Sequence, residues 1–123
     1  MSVGMTVLVV DDEPSVRDAL ELILSDSGYF VLASMSGRDA LGKAHRQRID
    51  VAIVDVELPD MSGLDVLRHL REKDPGLQVI VITANPTPAI VQEARKRGAA
   101  DCLHKPFHPA DIVDAIQSAL ARP

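Results

Sequence analysis

The apolar pattern of this chain switches period five times, and that alternation constrains its fold more than any other feature. Thr6-Val7-Leu8-Val9-Val10, Val51-Ala52-Ile53-Val54 and Val79-Ile80-Val81-Ile82 are continuous runs rich in β-branched residues. Runs that are apolar on both faces suit strands of a parallel sheet buried between helices. Residues 29–33 and 101–104 read as two weaker strands. Between the runs, apolar residues recur at helical spacing. One stripe is Val16, Ala19, Leu20, Ile23 and Leu24, stopped by Gly28. Leu64, Leu67 and Leu70 follow Gly63; Ile90, Val91 and Ala94 lead to Gly98; Ile112, Val113, Ile116, Ala119 and Leu120 form the last. Residues 37–48 make the weakest helix, with only Ala40, Leu41 and Ala44 on its apolar face. Thr87-Pro88 and His108-Pro109 each fit a helix start, with proline at the first helical position.

Five strand–helix units imply an α/β fold with right-handed crossovers. At 123 residues an eightfold barrel is excluded. The natural solution is a doubly wound, flavodoxin-like sheet of five parallel strands in the order 2-1-3-4-5 with five helices. Residues 1–123 then form one domain, with 46% hydrophobic residues to fill a core. A net charge of −5 argues against direct nucleic-acid binding, which needs a basic face. The single cysteine, Cys102, excludes an internal disulfide and a cysteine-based metal cluster, and fits a reducing, cytoplasmic setting. The opening apolar run is too short for a signal peptide or a membrane span.

In such sheets ligands sit at the carboxyl ends of the strands, where strand order reverses. Strand 1 ends in Asp11-Asp12, strand 3 in Asp55, strand 4 in Thr83 and strand 5 in Lys105. Strand 2, expected at the sheet edge, ends in Ala33-Ser34 and offers nothing comparable. Each residue has an ordinary reading alone. Asp11 or Asp12 suits the cap of the helix near Pro14, Asp55 a turn before Leu58-Pro59-Asp60, Thr83 a plain strand position and Lys105 the surface.

Their joint occurrence points elsewhere. Carboxylates crowded at one edge repel and raise one another's pKa unless a cation intervenes. A hard divalent cation, Mg²⁺ or Mn²⁺, is the economical answer. Asp12 and Asp55 would bind it directly, Asp11 through water, and a backbone carbonyl at Glu57 would complete the protein's share. Asp55 would also be a nucleophile, since a carboxylate can take a phosphoryl group as a mixed anhydride. Lys105 would neutralise phosphoryl oxygens and Thr83 would donate a hydroxyl hydrogen bond.

Val9-Val10-Asp11-Asp12-Glu13, Val54-Asp55 with Pro59 and Gly63 downstream, Ile82-Thr83-Ala84 and Lys105-Pro106-Phe107 resemble the receiver domains of two-component response regulators. The resemblance spans nearly the whole chain. It implies a phosphoacceptor switch rather than an enzyme, one that takes part in its own phosphorylation and dephosphorylation. Asp55 would accept the phosphoryl group from a sensor histidine kinase or a phosphotransfer domain. Lys105-Pro106 would be cis, and Thr83 would be the switch hydroxyl. The output domain or target protein is not named by these residues, and no membrane partner is implied. In relatives the movement of the threonine is coupled to an aromatic residue on strand 5, and here that position is Cys102. The signal would then pass through residues 83–87 and the start of helix 4, a stretch stiffened by Pro86 and Pro88.

Other features read as structure. Arg95-Lys96-Arg97 suits a helix C-terminus, and Arg38, Lys43, Arg46 and Arg48 suit a solvated helix face. Two other functions fit less well. A phosphatase of the haloacid-dehalogenase type shares an Asp nucleophile, a Thr and a Lys. It leaves the Asp11-Asp12 pair unexplained. A flavin carrier shares the fold, but the chain is 2% aromatic with no Trp to sandwich a flavin ring.

Overall fold

The structure, a computed structural model, describes residues 4–121. The elements run β1 (Thr6–Val10), α1 (Pro14–Asp26), β2 (Phe30–Ser34), α2 (Gly37–Arg46), β3 (Val51–Asp55), α3 (Gly63–Lys73), β4 (Gln78–Thr83), α4 (Pro88–Lys96), β5 (Asp101–His104) and α5 (Pro109–Leu120). The strands form one parallel sheet in the order β2-β1-β3-β4-β5, as the alternation predicts.

Side chains on a strand alternate between faces, so each apolar run feeds two cores. Leu8, Val10, Ala52, Val54, Val79 and Val81 face one way, onto Ala40 of α2, Val66, Leu67 and Leu70 of α3 and Ala94 of α4. Val7, Val9, Val51, Ile53, Ile80 and Ile82 face the other way, onto Leu20 and Leu24 of α1 and Ile112 and Ile116 of α5. This is why the buried middle of each central strand is apolar and polar residues stand only at strand ends.

Helix ends follow local chemistry. Gly28 takes φ +92°, a left-handed angle that stops α1. Thr87 caps α4, its hydroxyl accepting from Ile90 N at 3.2 Å with Pro88 at the first position. Gly98, at φ +100°, follows the cationic end of α4. The Lys105-Pro106 bond is cis, as the resemblance implies.

Several boundaries and exposures differ from the sequence reading. β2 begins at Phe30, because Tyr29 N donates to Leu24 O at 3.0 Å and closes α1. α2 ends at Arg46, leaving Arg48 outside it and paired to Asp50. Ala19 is exposed and lines an open groove rather than the core. Lys43 is not simply solvated, since it bonds the Ala33 carbonyl and pairs with Asp39 at 3.0 Å. Arg97 likewise ties α4 to α3 through Asp65 at 2.8 Å.

Candidate functional site

The carboxyl edge of the sheet gathers the residues singled out above. Asp11 follows β1 and is fully buried, while Asp55 ends β3 with 2% of its surface exposed. Thr83 ends β4 and is buried, and Lys105 directly follows β5. Lys105 Nζ lies 2.7 Å from Asp11 Oδ2 and 3.0 Å from Asp55 Oδ2. It also reaches Glu13 Oε1 at 3.5 Å. One cation thus faces three carboxylates.

The carboxylates are oriented by short backbone bonds. Asp11 Oδ1 accepts from Glu13 N at 2.9 Å, and Asp55 Oδ1 accepts from Glu57 N at 3.1 Å. Glu13, not Asp11 or Asp12, holds the N-cap position of α1, and its side chain makes no cap bond. The loop after β3 is folded tightly under Asp55. Gly63 N donates to Val56 O at 2.8 Å, and a Cβ on Gly63 would fall 2.0 Å from the Asp55 carbonyl oxygen. Only glycine permits that approach. Further along the loop, Asp60 accepts from Gly37 N and Arg38 N, both at 2.9 Å. Those bonds hold its carboxyl below the usual range and cap α2 from outside.

Burial raises the Asp55 pKa to about 6; the Lys105 hydrogen bond pulls it back, and the charge on Asp11 pushes it up again. Lys105 loses solvation by burial, yet its bonds to Asp11 and Asp55 outweigh that and raise its pKa. Burial thus holds the Asp55 carboxyl above the ordinary range, beside an ammonium whose charged form its acidic partners favour.

Asp11, Asp12, Glu13 and Asp55 each place one carboxylate oxygen so that all lie within 4.8 Å of one another. Asp11 Oδ2 is buried, with the Lys105 ammonium 2.7 Å away. Such a donor set of hard oxygens, four carboxylates beside one lysine, fits a divalent cation of the Mg²⁺ or Mn²⁺ type.

Three placements add to the sequence reading. Glu13 was not foreseen in the acidic cluster, although it directly follows Asp12. Glu57 was expected to contribute a backbone carbonyl, and its side chain engages the site as well. Glu57 Oε2 accepts from Thr83 Oγ1 at 2.9 Å, and Glu57 Oε1 accepts from Ala84 N at 3.3 Å. Thr83 accordingly points its proton at Glu57. Cys102 lies outside the cluster, half-buried against the α3–α4 side of the core. Burial raises its pKa, with the negative charge of Asp101 adding to it.

Comparison with known proteins settles the family. Residues 7–117 match the response regulator receiver domain. The chain belongs to that family. It is 40% identical over 118 residues to the probable transcriptional regulatory protein TcrX of Mycobacterium tuberculosis, covering 96% of this chain and 50% of that protein. It is 36% identical over 114 residues to the chemotaxis protein CheY of Thermotoga maritima, covering 92% of this chain and 95% of CheY. A CheY-like receiver structure from Methanospirillum hungatei superposes with a TM-score of 0.91 at 28% identity, covering 94% of this chain and 93% of that one. The chain spans about half the length of TcrX and of several other transcriptional regulators it matches. Receivers act as phosphoacceptor switches of two-component signalling, and that is the role this chain inherits. No helix among the described residues is long and apolar enough to cross a membrane.

Proposed function

We propose that Asp55 is the phosphoacceptor of this receiver and that Mg²⁺, or Mn²⁺ in its place, is held by Asp12 and Asp55 directly, by Asp11 through water and by a backbone carbonyl at Glu57. The observation that carries this reading is the buried Asp55 carboxyl between an acidic cluster and Lys105. Glu13 adds a fourth carboxylate oxygen to that cluster. A bound cation would supply charge neutralisation of phosphoryl oxygens. The protein's own groups do the rest. An Asp55 carboxylate oxygen attacks phosphorus, the P–N bond of a phosphohistidine breaks, and the imidazole leaves with the electron pair. Lys105 Nζ, already 3.0 Å from Asp55 Oδ2, faces the charge that arrives. Its contacts to Asp11 and Glu13 keep it at the site when Asp55 changes partner.

The donor on this reading is a sensor histidine kinase or phosphotransfer domain, and the setting is the cytoplasm. The output domain or target is a separate matter, and the acidic net charge favours one reached by protein contact rather than by nucleic-acid binding of this domain. Residues 1–123 act as one unit, of which 1–3 and 122–123 lie outside the described residues. The receiver also takes part in its own phosphorylation and dephosphorylation. The signal leaves through residues 83–87 and the start of α4, with little change around Cys102. Asn85 N donates to Thr83 Oγ1 at 3.0 Å, so turning that hydroxyl disturbs the loop directly.

Incubation with a small acyl phosphate and Mg²⁺ should add one hydroxylamine-labile phosphoryl group at Asp55. Asp55→Asn should not be labelled, and Lys105→Ala should be slowed. Label on Ser, Thr or His overturns the reading, as does steady turnover of phosphate esters.

A further inference from the structure

Thr83 has one hydroxyl proton, and in this structure it is already given away. It goes to Glu57 Oε2 at 2.9 Å, while Glu57 Oε1 takes the Ala84 N–H at 3.3 Å. A single carboxylate thus holds two adjacent donors at the end of β4, one side-chain and one backbone. Both would serve an anionic oxygen arriving on Asp55. The residue that holds them is itself fixed to Asp55, because Glu57 N donates to Asp55 Oδ1 at 3.1 Å. Its backbone is held further by the bridge between Glu57 and Ser62.

We infer that Glu57 is a positioning residue, an internal anion that occupies the Thr83 hydroxyl and the Ala84 amide and must be displaced before either can bind a phosphoryl oxygen. The inference rests on the reading of Asp55 as the phosphoacceptor. An O–H bond points at one acceptor at a time, so the Glu57 carboxylate and the phosphoryl group compete for it. A charge-assisted bond is the stronger kind, and the donor it uses is fully buried. Glu57 itself is exposed, so once released its carboxylate is solvated by water and leaves nothing unsatisfied behind. That asymmetry makes it a suitable latch: a buried donor, an exposed and retractable acceptor. Release also frees Thr83 Oγ1 to turn, and Asn85 N, bonded to that oxygen, follows. The latch therefore sets how much phosphoryl binding energy is spent before the loop to α4 moves.

The test is Mg²⁺-dependent binding of beryllofluoride, a phosphoryl analogue, by the full chain. Glu57→Ala should bind it about five- to tenfold more tightly than wild type, the loss of one charge-assisted bond partly screened by water. Removing a negative charge would also favour an anion, so Glu57→Asp is the deciding variant. It keeps the charge but is one methylene too short to hold both donors, and it should also bind more tightly. In a Thr83→Ala background the gain from either substitution should fall by more than half. Tighter binding in Glu57→Ala but not Glu57→Asp would mean a charge effect alone and overturn the latch. A gain undiminished without the Thr83 hydroxyl, or no gain at all, overturns it equally. If wild type binds no beryllofluoride with Mg²⁺, it is the phosphoacceptor reading that fails.

Discussion

β3 and β5 both end at the functional edge, but one is sunk in the molecule and the other lies at its margin. Every residue of β3 is buried, and it pairs with β1 on one side and β4 on the other. β5 pairs with β4 alone, its terminal residues Asp101 and His104 are exposed, and Cys102 and Leu103 are half-buried. The anionic part of the site sits on the deep strands and the cation that balances it on the shallow one. On the reading of Asp55 as the phosphoacceptor, rigid placement of Asp11 and Asp55 would fix where a phosphoryl group stands. The marginal strand leaves the charge that meets it, and the surface next to it, freer to respond.

The largest test of that contrast is packing. Ile53→Ala should cost about 3–5 kcal/mol and Leu103→Ala roughly 1 kcal/mol, since only the first empties a fully enclosed space. Urea denaturation measures both, and equal losses would erase the distinction. Next comes the charge balance. Lys105→Ala should cost about 2–3 kcal/mol at neutral pH without metal, because Asp11 and Asp55 are left buried and unpaired. Added Mg²⁺ should then stabilise this variant more than it stabilises wild type, read as a larger rise in Tm.

Acid response sharpens the same point. The Asp55 pKa is raised to about 6 in the folded protein, above the ordinary 3.8, so the folded state holds this proton more tightly than the unfolded chain does. In chelator, the stability it contributes is full below pH 3.8 and is lost as pH climbs through about 6. Asp55→Asn should remove that component, and melting curves across the range would show it. An unchanged pH slope in the variant would place the titration elsewhere.

Asp60→Ala should cost about 1 kcal/mol, the usual value of a lost helix cap, with faster amide exchange confined to the start of α2. The Asp60 pKa is lowered, so its contribution is present above the ordinary carboxylate pKa and fades as pH falls through the folded value. Smallest of all, Cys102→Ala should shift stability by less than about 1 kcal/mol. It should also leave beryllofluoride affinity unchanged if the signal bypasses β5. A large loss of affinity there would move the relay back to that strand.

The deep strands were legible in the sequence because burial on both faces leaves a continuous apolar run, as in Val51-Ala52-Ile53-Val54. The strand-end acids, Thr83 and Lys105 were legible for the complementary reason: a polar residue closing such a run needs an explanation. The α4 start at Pro88 followed from proline geometry and the Thr87 cap. What escaped depended on side-chain direction. Glu13 stands beside recognised residues and Glu57 was singled out for its carbonyl, but whether either carboxylate turns to a hydroxyl, a lysine or solvent is decided by three-dimensional neighbours. Asp60 looked like a turn residue, and its grip on α2 spans 23 positions to Gly37. Ala19 fitted the helical stripe, but the body of α1 turns it toward an open groove.

The reach of Lys105 has a further consequence, for the order in which the molecule comes together. Its partners Glu13 and Asp55 lie 92 and 50 positions earlier in the chain. During synthesis, β1 and β3 are complete long before the lysine emerges. Until then the Asp11 and Asp55 carboxylates lack the lysine that pairs with them, and closing water away from them is unfavourable. The early strands can pair, but their carboxyl edge stays wet until β5 docks. Pairing of the lysine with these acids is thus a late event, and on the reading of Asp55 as the phosphoacceptor the site is complete only once β5 has docked.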